Sequence, residues 1–303
     1  MKRMRHWKRF SGMLFVLLLA VGLLPLLPAV TVRAATTYRA DSEASLKQAA
    51  EGSEAGDTVE LSGEFALPSP VSIKQGVTLC VTANTVLTGN KMNGLILKEG
   101  ARLLCSDQAS LSMKGFQTAL TIEKGAEVGD GAYVLDGNEY GFNLKGSFRG
   151  SSREKLRVSA VSENGRAFTY SSDSLFCRCT VRVVAENESS EQYSHLNLKD
   201  ASLTTKGVWY YFNPPEGKEP ADTPVLSMDH AEFYAYKATG ASAYRHTMGI
   251  MGRARIVNGS RLTSDGSRIT VATKVPVEVE DTMTGANNTR PHRDRGHFLR
   301  PLY

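Results

Sequence analysis

The chain has 303 residues, with 36 Lys+Arg against 31 Asp+Glu, four cysteines and a charged fraction of 22%. That balance supplies an apolar core and excludes a wholly disordered chain. Six of the basic residues and none of the acidic ones fall in residues 1–35, leaving 30 basic against 31 acidic, a net of −1, so the basicity is no sign of a nucleic-acid partner.

Residues 1–35 read as a secretory signal peptide. Lys2, Arg3, Arg5, Lys8 and Arg9 form a basic start, 13–27 is an apolar run broken only by glycine and Pro25, and Val32-Arg33-Ala34 offers a small-residue cleavage site. An uncleaved anchor is the alternative; Pro25, Pro28 and the Val-x-Ala ending favour cleavage. No second apolar stretch is long enough to span a bilayer. Residues 42–50 then predict a short amphipathic helix with Ser42 as cap and Ala44, Leu46, Ala49 and Ala50 on one face. Gly56-Asp57 turns the chain into an alternating strand, Thr58-Val59-Glu60-Leu61.

Residues 71–148 set the architecture. Ile73-Lys74-Gln75-Gly76 returns as Leu97-Lys98-Glu99-Gly100 and Ile122-Glu123-Lys124-Gly125, with the glycines 24 and 25 residues apart, and more loosely as Leu144-Lys145-Gly146. Decayed copies are expected at Leu198-Lys199-Asp200-Ala201, Met228-Asp229-His230-Ala231 and Val257-Asn258-Gly259. A period in the low twenties is one supersecondary unit being stacked. Around each glycine the apolar residues alternate, as in Leu95-x-Leu97, which is strand periodicity. Three short strands and three bends fill such a unit, giving one rung of a parallel β-helix over residues 36–285, an all-β solenoid with an N-terminal capping helix. A β-sandwich would share the strand spacing but not the recurring phrase.

The helix, Gly-Asp-Thr-Val-Glu-Leu-Ser-Gly at 56–63, Val71-Ser72-Ile73 and Gly76-Val77-Thr78-Leu79 together resemble the N-terminal cap and first rungs of the pectate-lyase-like right-handed β-helix superfamily. The resemblance covers 42–148 well and the rest loosely. It implies a right-handed solenoid whose helix shields the open end; it is nearly silent on function, because catalytic and non-catalytic members share the fold, and a non-catalytic bacterial surface or adhesin-type member is expected from the export signal and the catalytic patterns missing below.

Further along, Asp130 and Asp136 lie in a turn-rich stretch; turn chemistry accounts for them better than calcium, whose loop spacing they do not fit. Cys80 and Cys105 are 25 residues apart, one rung by the phrase, and are the candidate disulfide; Cys177-Arg178-Cys179 places two thiols on one side of a strand. No cysteine pair has histidines at zinc spacing, so no metal or cofactor is expected. Residues 186–191 read as a polar loop. An aromatic concentration follows, Trp209, Tyr210, Tyr211 and Phe212, then Phe233, Tyr234, Tyr236 and Tyr244. These rings either fill wide rungs or stack on sugars, and Trp209, Tyr211, Tyr234 and Tyr236 are the candidate ligand platform. The tail 286–303, with Arg290, Arg293, Arg295 and Arg300, loses the apolar spacing and is expected to be disordered.

The catalytic patterns that the resemblance brings to mind are missing. There is no Asn-Thr-Asp, Asp-Asp, Gly-His-Gly or Arg-Ile-Lys, and Arg268-Ile269-Thr270 lacks the lysine. Asp229-His230 is the nearest polar couple and reads better as a turn than as a general base. The sequence therefore points to a secreted or cell-surface, non-catalytic binder whose partner is a polysaccharide or a cell-surface glycan or protein. The alternative is a divergent lyase or hydrolase acting on acidic polysaccharide.

Overall fold

The computed structural model describes residues 33–162, 167–193, 195–212, 224–236, 248–250, 252–265, 269–271, 278–279 and 283–285; the side chains of 186–193, 209, 211, 265 and those from 269 onward lie outside it. Residues 1–32, within the expected signal peptide 1–35, and the expected tail 286–303 fall outside the described residues. Residues 33–35 belong to a different unit from the body, which begins at Thr36.

The body is a parallel β-solenoid with three walls. The first wall stacks residues 58–61, 78–81, Arg102–Cys105, Glu127–Val128, Ser147–Arg149, Leu175–Cys177, Leu196–Lys199, Leu226–Asp229, Ala254–Val257 and Glu278–Val279. The second stacks 63–66, 85–88, Ser110–Lys114, Gly131–Val134, Leu156–Ser162, 180–184, 202–206, Glu232–Tyr236, Arg261–Asp265 and Met283–Gly285. The third begins as a separate five-stranded sheet, Val71–Ile73, Leu95–Leu97, Thr118–Ile122, Tyr140–Leu144 and Phe168–Tyr170. Beyond that it continues as 189–193, 208–212, Met248–Ile250 and Ile269–Val271, joined to the large sheet. Every pairing is parallel, so hydrogen bonds run along the solenoid axis and each coil docks on the last.

Alternation explains the core. Val71 pairs with Leu95 and Leu95 with Leu120; Ile73 pairs with Leu97 and Leu97 with Ile122. All of these side chains are buried, each worth about 1.5–3 kcal/mol on leaving water. Further along, rings replace aliphatic residues. Phe142 meets Phe148 at 5.1 Å and Phe168 at 5.2 Å, and Tyr210 meets Phe233 edge-on at 5.0 Å. Aromatic pairs of this geometry add about 0.5–1.5 kcal/mol beyond area.

The capping helix spans Glu43–Gly52 with Ser42 as N-cap, its side chain accepting from the Ser45 N–H. It buries Leu46, Ala49 and Ala50 against the first coils, while Ala44 is exposed, contrary to expectation. Thr37–Ala40 pairs with 58–61 and completes that end.

The glycine phrase marks a corner. Gly76, Gly100 and Gly125 have φ of 71°, 70° and 79°, a left-handed conformation, and stack where the third wall meets the first. The Gly100 N–H donates to the Gly125 carbonyl at 3.1 Å. The later copies are not decayed versions of this corner. Asp200, His230 and Asn258, with Arg178 before them, sit where the first wall meets the second, at φ of 48°, 50°, 56° and 48° respectively. Their amides bond from coil to coil: Arg178 to Lys199 O at 3.0 Å, Asp200 to Asp229 O at 2.8 Å, His230 to Val257 O at 3.3 Å. The apolar-polar-bend pattern is common to both corners, which is why the copies looked alike. Two further corrections follow. Residues 186–191 are not a loop: they continue the strand Thr180–Tyr193, whose register slips between Val184 and Ser189. Cys177 and Cys179 do not share a strand, because the left-handed Arg178 turns the corner between them.

Candidate functional site

On the outer face of the second wall, side chains line up in columns. One column runs Val86, Ser112, Val134, Ser159, Arg182, Thr204, Tyr234, Thr263. Two residues further along each strand, a second column places Val161, Val184, Lys206 and Tyr236 in succession. Inside this wall Leu203, Phe233 and Ala235 are buried. Alternation therefore turns Tyr234 and Tyr236 outward: Tyr234 is half-buried and Tyr236 is 37% exposed, one of the few large apolar side chains this open among the described residues. Arg182, Lys206 and Arg261 are exposed beside them. This surface offers two ring faces, hydroxyls from Thr204 and Thr263, and cations. Arg182, Thr204 and Lys206 were not singled out from the sequence, although the alternation of 180–184 and 202–206 carries the signal.

Of the four platform candidates, Tyr234 and Tyr236 share this face. Trp209 and Tyr211 lie on the strand Ser202–Phe212, in its third-wall part, and their side chains fall outside the described residues. The intervening Tyr210 and Phe212 are fully buried, so part of the aromatic run fills the core. Tyr244 falls outside the described residues.

The second polar constellation is the corner ladder. His230 is not paired with Asp229, its sequence neighbour. Its Nδ1 lies 3.1 Å from Asp200 Oδ1, one coil back, and Asp229 Oδ1 instead accepts from Asn258 Nδ2 at 2.6 Å. Arg153 Nε reaches the same Asp200 oxygen at 3.0 Å, and the Arg153 guanidinium donates to the His230 carbonyl. The imidazole is 69% exposed at a corner. Arg153 was invisible to sequence reasoning because it lies 47 and 77 residues from its partners.

The remaining candidates resolve structurally. Asp130 accepts from the Ser151 N–H and hydroxyl, both at 2.7 Å; Asp136 accepts from Val161 N–H at 2.9 Å and Ser159 Oγ at 3.1 Å. Both carboxylates thus tie one coil to the next. Cys80 pairs with Leu104 and Cys105 with Val81, so the pleat sends the two thiols to opposite sides, and all four cysteines are free. Burial pushes the Cys105 thiol up to about 11, with the Tyr133 hydroxyl pulling the other way. Burial also raises Cys179.

The architecture defines the chain as a parallel β-solenoid. No protein family, no characterised protein and no solved structure matches it.

Proposed function

We propose that this chain is a secreted, non-catalytic cell-surface β-helix protein that binds a glycan on the outer face of its second wall. The observation that carries the reading is the adjacent pair Tyr234 and Tyr236, turned outward and flanked by Thr204, Thr263, Arg182 and Lys206. Exposed tyrosine faces stack on sugar rings, and neighbouring hydroxyl and cationic groups fix orientation. The expected export leader supports the location, and the resemblance of 42–148 to the pectate-lyase-like superfamily, taken with the missing catalytic patterns, supports the class.

Native affinity electrophoresis through gels that each hold one polysaccharide tests it. Retardation by at least one polysaccharide, lost in Tyr236→Ala, is the expected result. Migration unaffected by every polysaccharide would remove the glycan reading. A divergent lyase or hydrolase rests on one observation, the Asp200–His230 contact at 3.1 Å beside Arg153. Release of unsaturated or reducing ends, abolished by His230→Ala, would replace the binding proposal with that one.

A further inference from the structure

We propose that residues 150–155 form a strap that couples the two parts of the solenoid into one cooperative unit, with Arg153 as its fastening. Two of the walls are continuous, but the third is carried by two sheets. The five-stranded sheet ends with Phe168–Tyr170, and from 189–193 onward the third-wall strands belong to the large sheet. This junction is the place where coil-to-coil pairing changes hands.

The strap begins before the junction and is anchored beyond it. Gly150 N–H donates to Cys177 O at 3.0 Å, and the Thr180 hydroxyl donates to Arg153 O at 3.1 Å. The Arg153 side chain then runs along the corner to Asp200 and His230, two and three corners past its own. A Cβ at Gly150 would lie 2.3 Å from Arg178 O, so the strap lies tightly on the first corner it crosses. In a solenoid each coil normally touches only its neighbours, so stability is a chain of nearest-neighbour terms and the two ends can melt apart. A side chain that spans several coils adds a term of longer range. Arg153 is 22% exposed and Asp200 39%, so the ion pair is partly shielded from the screening that makes surface pairs weak.

The test is urea unfolding of the full chain in a Trp7→Phe background, where Trp209, beyond the junction, becomes the only tryptophan. Tryptophan fluorescence then reports the far part and far-UV circular dichroism the whole. The parent is expected to unfold with coincident midpoints. In Arg153→Ala the fluorescence midpoint is expected to fall below the dichroism midpoint by on the order of 1 M urea. Arg157→Ala, whose Nε bonds only the nearby Glu154 carbonyl at 2.9 Å, is the control and should stay coincident. Should Arg153→Ala fail to fold, Asp200→Asn removes the charge and keeps a residue that tolerates positive φ. A parent that already splits, or strap variants that remain coincident, would overturn the proposal.

Discussion

Asn138 provides the sharpest test of the way successive coils are held. It is 4% exposed and stands at a bend between the second and third walls. Its Oδ1 accepts from the Phe116 N–H at 2.8 Å, and its Nδ2 donates to the Met113 carbonyl at 2.8 Å, both on the preceding coil. One amide thus satisfies a donor and an acceptor that water cannot reach. Asn138→Ala leaves both unpaired, and each such group costs about 1–3 kcal/mol, for a loss of about 2–6 kcal/mol in all. For a chain of this size that lowers Tm by about 5–15 °C, read by differential scanning calorimetry. Asn138→Asp separates the two roles. A carboxylate keeps the acceptor but faces the Met113 carbonyl with no proton to give, whereas a protonated carboxyl supplies both. Its destabilisation should therefore shrink as pH falls, because the folded state then binds the proton more tightly than the unfolded one. An Asn138→Ala variant within about 0.5 kcal/mol of the parent would show that the bridge contributes nothing net and that the bend is held by packing alone.

Other perturbations separate backbone strain from packing. Gly137→Ala meets open space at φ +72°, so it should cost only the left-handed penalty, about 1–2 kcal/mol. Gly146→Ala would place a Cβ 2.2 Å from Ala126 O and 2.6 Å from Glu123 O, forcing coils apart at a cost of about 3 kcal/mol or more; equal midpoints in urea for the two variants would contradict this. Ser42→Ala should cost about 1 kcal/mol through loss of the helix cap, measured by the same titration. The reduced protein should lose stability as pH rises from about 9 to about 11. Over that window the unfolded Cys105 thiol has ionised while the folded one, pushed up to about 11, still holds its proton, a loss of about 2 kcal/mol that Cys105→Ala should diminish. A flat profile in the parent would refute the buried placement of that thiol.

The glycine phrase was legible because it has a physical cause. A corner that needs positive φ at every coil selects glycine at Gly76, Gly100 and Gly125, and the repeat length follows directly. The second corner uses Arg178, Asp200, His230 and Asn258 for the same turn, and no residue type advertises it. Its cost is met by coil-to-coil amide bonds and by the Asp200, His230 and Arg153 contacts, which belong to the tertiary structure. The cysteines show how a one-residue error matters. Cys80 is the fourth residue after Gly76 and Cys105 the fifth after Gly100, so equal spacing by eye hid a shift that turns one thiol inward and the other outward.

The aromatic stretch marks where alternation stops being sufficient. A run such as Trp209-Tyr210-Tyr211-Phe212 contains a ring at every position, so the period of two is present in the backbone but not in the residue types. Burial of Tyr210 and Phe212 assigns that pair to the core, and the Tyr210–Phe233 contact shows the interior widening to admit rings where earlier coils hold leucine and isoleucine. In Glu232-Phe233-Tyr234-Ala235-Tyr236 the small Ala235 breaks the degeneracy. Phe233 and Ala235 go in, and Tyr234 and Tyr236 must go out. Ala235 sits in a buried column of small side chains with Thr205 and Ser264, while two rings stand on the outer face. Packing and alternation thus leave both rings in water, and two neighbouring exposed rings make the outer face of the second wall the place to look for a ligand.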